Sequence, residues 1–319
     1  MTGLICKGWT AVLFFCAVVA AVGSGQTMAS ECKMEGSDAM HWLAKMSRGS
    51  HRVDYHGVVT FQRGDDMQVM QISHAITNGS STEQMTQLTG QGAQIVRQNH
   101  PLECVHPGHH LLRADGETSA GGCGITDHYR LQVDAGERIA GRKAMRIRVD
   151  PLDMYRYGYI MDLDKETGLL LKVQTIGRGN KVLERFQFAS LSLGTNSKAA
   201  ANPELVHKAT HPVVTESSAV AVPASRWAIQ WLPGGFTATD SQQGAHSRRT
   251  YTDGLAVFSV FLERLPKKIK AGEGVARHGG TTSYTRGMRL KGKPVLVTVI
   301  GEVPLNTARM VADSLSWTY

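Results

Sequence analysis

The sequence has little charge, few cysteines and only one long apolar run. Charged residues make up 19% of its 319 residues and hydrophobic residues 42%, a balance typical of a globular chain and not of a disordered one. The apolar run, residues 10–22, is about thirteen residues long, whereas a membrane-spanning helix needs about twenty. It follows Lys7 and precedes small residues that lead to Ala29, the pattern of a cleaved secretory signal. We therefore predict an export signal over residues 1–29.

Basic residues exceed acidic ones, 35 against 27, which gives a net charge of +8. Removal of Lys7 with the signal leaves 34 basic and 27 acidic residues, a net charge of +7. In an exported chain this excess favours acidic protein segments or phosphorylated lipids as partners, and not nucleic acid. Lys267, Lys268 and Lys270 are candidate docking residues for an acidic partner; the alternative is an ordinary solvated face.

Of the five cysteines, Cys32, Cys104 and Cys123 remain after removal of the signal. In an oxidising compartment Cys104 and Cys123 predict a disulfide. It would close a loop of about twenty residues and contribute about 3 kcal/mol in the chain-entropy model. Histidines surround these cysteines, so a metal site is the alternative, but the cysteines are too far apart for the Cys-x₂₋₄-Cys pair of zinc sites. We expect a disulfide, and neither a metal nor another cofactor.

The sequence contains no short catalytic signature. It lacks Gly-x-Ser-x-Gly, His-Glu-x-x-His, Cys-x-x-Cys and a phosphate-binding glycine loop. Catalytic triads also assemble from distant residues, so this absence argues only weakly against an enzyme. A binding surface is the better candidate, because Tyr155, Tyr157 and Tyr159 would share one face of a strand. They would form either a ligand-facing wall or ordinary sheet packing. We predict a binding protein, not an enzyme.

Hydrophobic periodicity predicts one helix followed by many strands. The helix has Ser37 as its cap, an apolar face that includes Trp42 and Leu43, and an end at Gly49. The strands that follow are predicted at residues 53–61, 67–76, 129–133, 144–149, 157–163, 169–175 and 182–193. Strands in succession, with short turns and few helices between them, predict an antiparallel sheet and not a parallel βαβ sheet.

The character of the sequence changes near Gly194. Residues 195–225 resemble a linker rich in Ala, Ser and Thr, with one short helix over 203–208. Later strands at 255–262, 282–286 and 295–300 and a helix that begins at Pro304 predict a small α+β domain. The predicted organisation is a signal (1–29), a large N-terminal domain (31–194), a linker (195–225) and a small C-terminal domain (226–319).

Eight short runs, spread over most of the chain after the signal, carry a family resemblance. They are YHGVVTF (55–61), RIAGR (138–142), YRYGY (155–159), DKETGLLLK (164–172), VLERFQF (182–188), WLPGGF (231–236), YTDGLA (251–256) and GEVP (301–304). Together and in this order they resemble the MucB/RseB family of sigma-E regulators. The family has no short catalytic motif to transfer, so the site residues above rest on this sequence alone.

The resemblance implies an α+β fold whose large domain is similar to the LolA and LolB lipoprotein carriers, with an open, curved antiparallel sheet over an apolar cavity. It implies a periplasmic protein that binds the periplasmic region of a membrane-spanning anti-sigma factor. By protecting that factor from regulated proteolysis it would restrain the sigma-E envelope stress response, and lipopolysaccharide or lipoprotein acyl chains would release it. We also consider a homodimer. The alternative function is a lipid or lipoprotein carrier of the LolA type, in which the second domain has no obvious place.

Overall fold

The structure is a computed structural model. It describes residues 37–78, 80–90, 94–101, 124–194, 207–208, 227–243, 247–264 and 272–317, all of which belong to one compact unit. We call the described residues up to 208 the large lobe and those from 227 to 317 the small lobe. The predicted signal and most of the predicted linker lie outside the described residues. So do five of the predicted site residues, namely Cys104, Cys123, Lys267, Lys268 and Lys270. The predictions made for them therefore stay predictions.

Helix α1 (Ser37–Arg52) packs its apolar face against the large sheet, with Leu43 fully buried. The prediction that this helix ends at Gly49 is wrong, since it continues to Arg52. Gly49 lies where the helix meets a turn of the sheet, and a β-carbon there would be 2.5 Å from the carbonyl oxygen of Thr167. Glycine is needed for this close approach and not to stop the helix.

The large sheet contains ten strands in the spatial order β10-β4-β3-β2-β1-β9-β8-β7-β6-β5. They are β1 (Tyr55–Arg63), β2 (Asp66–Thr77), β3 (Ser80–Gln87), β4 (Gln94–Pro101), β5 (Tyr129–Ile139), β6 (Arg142–Pro151), β7 (Gly158–Asp164), β8 (Leu170–Ile176), β9 (Val182–Leu193) and β10 (His207–Lys208). Every neighbouring pair is antiparallel except β10 with β4. The predicted large antiparallel sheet with few helices is confirmed.

The sheet differs from the predicted strands in two places. Strands β3 and β4 were not predicted, because β3 (sequence SSTEQMTQ) is almost entirely polar. The short helix predicted over 203–208 is wrong at its end, where His207 and Lys208 form β10 and pair with Ile95 and Val96. Consecutive strands make two sets, β1–β4 and β5–β9, which meet where β1 pairs with β9.

The small lobe contains a six-stranded antiparallel sheet in the order β12-β13-β14-β17-β16-β15, a two-stranded sheet of β11 with β18, and one helix. Its elements are β11 (Trp227–Ile229), β12 (Thr237–Gln243), β13 (Ser247–Thr252), β14 (Val257–Arg264), β15 (Glu273–His278), β16 (Thr281–Leu290), β17 (Lys293–Gly301), α2 (Leu305–Asp313) and β18 (Leu315–Trp317).

Helix α2 packs against the six-stranded sheet, where Ala308, Val311 and Ala312 join a buried core with Phe258 and Val297. The helix starts one residue later than predicted, because Pro304 is its N-cap and not its first residue. In the described part of the chain no helix is long and apolar enough to cross a membrane.

Candidate functional site

One face of the large sheet is apolar across most of its width. Cross-strand pairs place Ile147 beside Met161, Met161 beside Val173, and Val173 beside Phe186 on this face. Helix α1 covers the part formed by β5, β6 and β7, where its side chains and those of the strands make one buried cluster.

Beyond helix α1 the apolar face continues over β1, β2, β8 and β9. Val59 and Phe188 are buried at its centre. Around them Met70, Met85 and Phe186 are only partly buried. A partly open apolar surface that contains two methionines can adapt to ligands of different shapes. We call Met70, Met85 and Phe186 the open part of the apolar face.

The three tyrosines predicted to share a strand face do not do so. Strand β7 begins at Gly158, so Tyr155 and Tyr157 lie in the bend before it and only Tyr159 lies in the strand. Tyr159 is buried in the cluster beneath helix α1. The ring of Tyr155 instead meets the ring of Trp231 in the small lobe, with 5.1 Å between centroids. The predicted common face is wrong, and a role of these tyrosines in ligand binding stays a prediction.

Arg156, which lies between the tyrosines, is the centre of the junction between the lobes. Its guanidinium pairs with the Asp253 carboxylate at 2.8 Å, and both side chains are 0% exposed. It also pairs with Asp153 at 2.9 Å and donates a hydrogen bond to the Gly234 carbonyl oxygen at 2.6 Å. One side chain therefore joins a bend of the large lobe to two turns of the small lobe.

Asp253 completes this junction. Its carboxylate accepts hydrogen bonds from the Tyr129 hydroxyl at 2.9 Å and from the backbone N–H groups of Leu255 and Ala256 at 3.0 and 2.8 Å. Burial, followed by the charge of Asp253, raises the pKa of Tyr129 well above its usual value. Burial lowers the pKa of the Arg156 guanidinium, but its interactions with Asp153 and Asp253 have the larger combined effect, so the pKa is raised above its usual value. Both side chains have hydrogen-bond partners although they are removed from water.

A second contact between the lobes lies at the rim of the apolar face. Glu184 accepts a hydrogen bond from the Gly280 N–H at 3.2 Å, in the turn between β15 and β16. On the large lobe it pairs with Arg63 at 3.5 Å and accepts a hydrogen bond from the Thr175 hydroxyl at 3.3 Å. Thr175, Glu184 and Arg63 form one cross-strand row on the apolar face. Leu255 of the small lobe packs against the cluster beneath α1. The small lobe therefore bounds one end of the face.

Two polar groups that interact with the charges of the junction carry shifted pKa values. Burial, followed by the charges of Glu184 and Asp253, raises the pKa of Glu302 to about 7. The Tyr159 hydroxyl is buried, and within the described residues it has no hydrogen-bond partner. Burial and the charge of Glu302 raise its pKa well above the usual value. Both groups are held in their neutral forms in weakly acidic solution.

Within the described ranges no three His, Cys, Asp or Glu side chains come close enough to hold a metal ion. The sequence analysis did not identify Arg156, Asp253 or Glu184 as residues of the junction. The arrangement is that of a surface for binding, built from an apolar face and a junction of two lobes.

Comparison with known proteins gives a family match over both lobes. The models of the MucB/RseB N-terminal and C-terminal domains match residues 38–208 and 221–316. The sigma factor AlgU regulatory protein MucB of Pseudomonas aeruginosa is 31% identical over 297 residues, which cover 88% of this chain and 92% of that protein. The sigma-E factor regulatory protein RseB of Escherichia coli K12 is 25% identical over 292 residues, covering 86% and 89%.

Solved structures agree with the sequence match. The crystal structure of MucB in complex with MucA(peri) matches with a TM-score of 0.69 and 30% identity, and covers 88% of this chain and 99% of that one. The crystal structure of MucB matches with a TM-score of 0.59 and 29% identity, covering 88% and 98%. The similarity therefore extends over the large and the small lobe.

Proposed function

The chain belongs to the MucB/RseB family, and we propose that it is a periplasmic regulator that binds the periplasmic region of a membrane-spanning anti-sigma factor. The similarity to MucB over 88% of this chain carries the proposal, since one matching structure contains MucB together with MucA(peri). The net charge of +7 after removal of the signal supports an acidic partner.

Direct binding tests this proposal. The mature chain, residues 30–319, is mixed with the purified periplasmic segment of the anti-sigma factor encoded in the same genome. Calorimetry should show binding of the segment, and size-exclusion chromatography should show the two proteins eluting together as one complex. Failure to bind any anti-sigma segment of that genome would sink the proposal.

The proposed consequence of binding is protection of the anti-sigma factor from regulated proteolysis, which restrains the sigma-E envelope stress response. The periplasmic segment is digested by the protease that starts its degradation, with and without the mature chain. We expect slower cleavage with the chain present, because a segment held on its surface cannot enter the protease in extended form. Equal cleavage rates without the mature chain and with a saturating concentration of it would contradict protection.

The proposed signal for release is a lipid, either lipopolysaccharide or the acyl chains of lipoproteins. The open part of the apolar face (Met70, Met85 and Phe186) supports this, because acyl chains bind to partly exposed apolar surfaces. A synthetic diacylated lipopeptide should compete with the anti-sigma segment for the wild-type chain. The variant Met85→Asp should resist competition, whereas Met67→Asp, at the exposed start of β2, should behave as the wild type. Equal competition with both variants would contradict this lipid site.

The open apolar face also favours the alternative function, a lipid or lipoprotein carrier of the LolA type. A carrier hands its cargo to an acceptor, so transfer of the lipopeptide to outer-membrane vesicles in the absence of anti-sigma binding would favour this function. The regulator predicts the reverse, namely anti-sigma binding without net transfer.

Lys267, Lys268 and Lys270 are proposed to attract the acidic partner. Reversal of all three charges should slow association and reduce its dependence on salt, because steering by charge acts on the association rate. The matched control reverses Lys143, Lys165 and Lys181, three exposed lysines of the large lobe. Association rates that are equal for the two triple variants would contradict steering by the first set.

The disulfide between Cys104 and Cys123 is proposed to form in the exported chain. Mass spectrometry of peptides prepared without reduction should show the two cysteines linked. Free thiols at both positions in protein isolated from the periplasm would refute the pairing.

A further inference from the structure

The turn between β15 and β16 approaches the rim of the large sheet closely. A β-carbon at Gly279 would be 2.5 Å from a carboxylate oxygen of Glu184, and one at Gly280 would be 3.1 Å from the methyl group of Thr175. The Gly280 N–H donates its hydrogen bond to Glu184 at 3.2 Å. Two consecutive glycines therefore let the backbone of the small lobe lie against the large lobe. We call the contact of Gly280 with Glu184 the rim contact.

Glu302 lies beside the rim contact. It follows β17 directly, and the last residue of β17 pairs with β16 on one side and with β14 on the other. Strand β16 begins directly after Gly280, and β14 follows the turn that contains Asp253. Glu302 therefore lies between two turns of the small lobe, both of which contact the large lobe.

A negative charge on Glu302 has no counter-charge among the described residues. Glu184 pairs with Arg63, and Asp253 pairs with Arg156. Glu302 forms no ion pair in the part of the chain that the structure describes, and the charges that act on it are those of Glu184 and Asp253, both of which raise its pKa. Two carboxylates close to a third, partly buried one disfavour its charged form.

Other ionisable groups around the junction do not share this property. Tyr159 of β7 is neutral, because burial and the charge of Glu302 hold its pKa well above the usual value. Burial, followed by the charge of a neighbouring arginine, lowers the pKa of His128, which is therefore neutral when Glu302 loses its proton near pH 7. Arg277 and His278, which precede the turn of the rim contact, are exposed to water.

We propose that the protonation of Glu302 controls the rim contact. In its neutral form Glu302 lets the small lobe lie against Glu184. In its charged form it is repelled by Glu184 and Asp253, and the lobes separate at the rim, where a single backbone N–H donates to Glu184. The buried pair of Arg156 with Asp253 still holds the lobes together, so separation uncovers one end of the apolar face. This control acts within one chain and needs no partner, so it does not depend on the proposed function.

The size of the effect follows from the two pKa values of Glu302, about 7 in the closed form and 4.5 in water. Because the closed form binds the proton more tightly, the ratio of open to closed forms should rise about tenfold from pH 6 to pH 8. The Gly280 N–H reports this ratio, since its exchange with solvent requires the rim contact to open.

Hydrogen exchange followed by NMR tests the proposal on the mature chain, residues 30–319. After correction for the intrinsic effect of pH on exchange, the protection factor of Gly280 should fall about tenfold from pH 6 to pH 8. In Glu302→Gln, which is neutral throughout, it should be the same at both pH values. The matched controls are His278→Asn, beside the same turn, and Glu166→Gln, whose carboxylate is 79% exposed on the large lobe. Both should keep the tenfold change.

Two amides of the wild type show where the chain opens. The Gly177 N–H donates to the Lys181 carbonyl oxygen at 2.8 Å within the large lobe, so its protection should not change with pH. The Val149 N–H lies in β6, which is paired on both sides, and it reports unfolding of the whole chain. Equal protection of Gly280 and Val149, or an equal loss of protection at Gly177, would replace separation at the rim with general unfolding and overturn the proposal.

The remaining outcomes test Glu302 itself. In the wild type, the carboxyl carbon of Glu302 should titrate with a pKa of about 7, and titration near 4.5 would overturn the proposal without the use of any variant. Unchanged protection of Gly280 in the wild type would also overturn it. So would an equal pH dependence in Glu302→Gln, or its loss in His278→Asn, which would make the exposed histidine the controlling group.

Discussion

The ion pair between Arg156 and Asp253 offers the sharpest test of how the lobes are joined. Asp253→Asn keeps the size of the side chain but removes its charge, which leaves the Arg156 guanidinium buried beside a neutral group. Removal of one member of a buried ion pair costs about 3–5 kcal/mol. Asp153 still faces Arg156 at 2.9 Å and is 27% exposed, so part of the charge stays compensated. We therefore expect a loss near the lower end, about 3 kcal/mol.

Urea unfolding followed by circular dichroism measures this loss. A domain is stable by about 5–15 kcal/mol, so a loss of about 3 kcal/mol moves the midpoint clearly. The matched control is Glu166→Gln, because Glu166 also pairs with an arginine, Arg142, at 2.7 Å, but is 79% exposed. An exposed pair is worth about 0–1 kcal/mol, and the control should lose no more than that.

A double-mutant cycle isolates the pair itself. Arg156→Met leaves the Asp253 carboxylate buried without its cation, and Asp253→Leu leaves the buried Arg156 guanidinium with Asp153 as its one remaining ion-pair partner among the described residues. The double variant removes both of these buried groups. The double variant should therefore be more stable than the sum of the single losses predicts. If Asp253→Asn loses less than about 1 kcal/mol, as an exposed pair would, the reasoning that places this pair at the centre of the junction is refuted.

Three further changes test the junction and the core. Glu302 has a pKa of about 7 when folded and 4.5 unperturbed, so the folded state holds more protons and the free energy of unfolding falls by about 3 kcal/mol as pH rises between these values. Urea curves should lose this slope in Glu302→Gln, and a retained slope would contradict the assignment. Gly235 has a φ of +83° and a methyl group there would overlap the His128 ring, so Gly235→Ala should cost about 2 kcal/mol. His128→Ala should restore the steric part of that loss, and no recovery in thermal melts would count against the overlap. Leu43 is fully buried, and Leu43→Ala should cost about 2–5 kcal/mol in the same melts; a loss below 1 kcal/mol would show that α1 is not packed on the sheet.

Helices and strands whose apolar residues recur at a regular spacing could be predicted from the sequence, whereas exposed strands could not. The segments 157–163 and 182–193, which were predicted as strands and correspond to β7 (Gly158–Asp164) and β9 (Val182–Leu193), carry enough Val, Ile, Leu and Phe to be recognised. Strand β15, Glu273–His278, is exposed at every residue and therefore has no buried face to mark it. Its strand structure comes from pairing with β16 at the edge of the sheet, a tertiary effect that local sequence does not encode.

The junction could not be predicted because its partners are far apart in the chain and its local geometry is irregular. Strand alternation through 155–159 would place Arg156 opposite the tyrosines, but the bend before Gly158 breaks that alternation. Asp253 lies 97 residues away, and no spacing rule connects the two. Both residues do lie in runs that carry the family resemblance, YRYGY and YTDGLA, which marked their importance without showing their contact.

The pairing of β1 with β9 has a consequence for how the chain folds. Strands β1–β4 and β5–β9 each form from neighbours in sequence, but Tyr55 pairs with Leu193 across most of the large lobe. Such distant pairing is slow, on the order of milliseconds to seconds, because loop-closure entropy is lost before the contact forms. Until it forms, β1 and β9 are open edges and Val59 and Phe188 are exposed, the conditions under which sheets aggregate. Residues that join the two sets should therefore control the yield of refolding more strongly than the stability of the final fold.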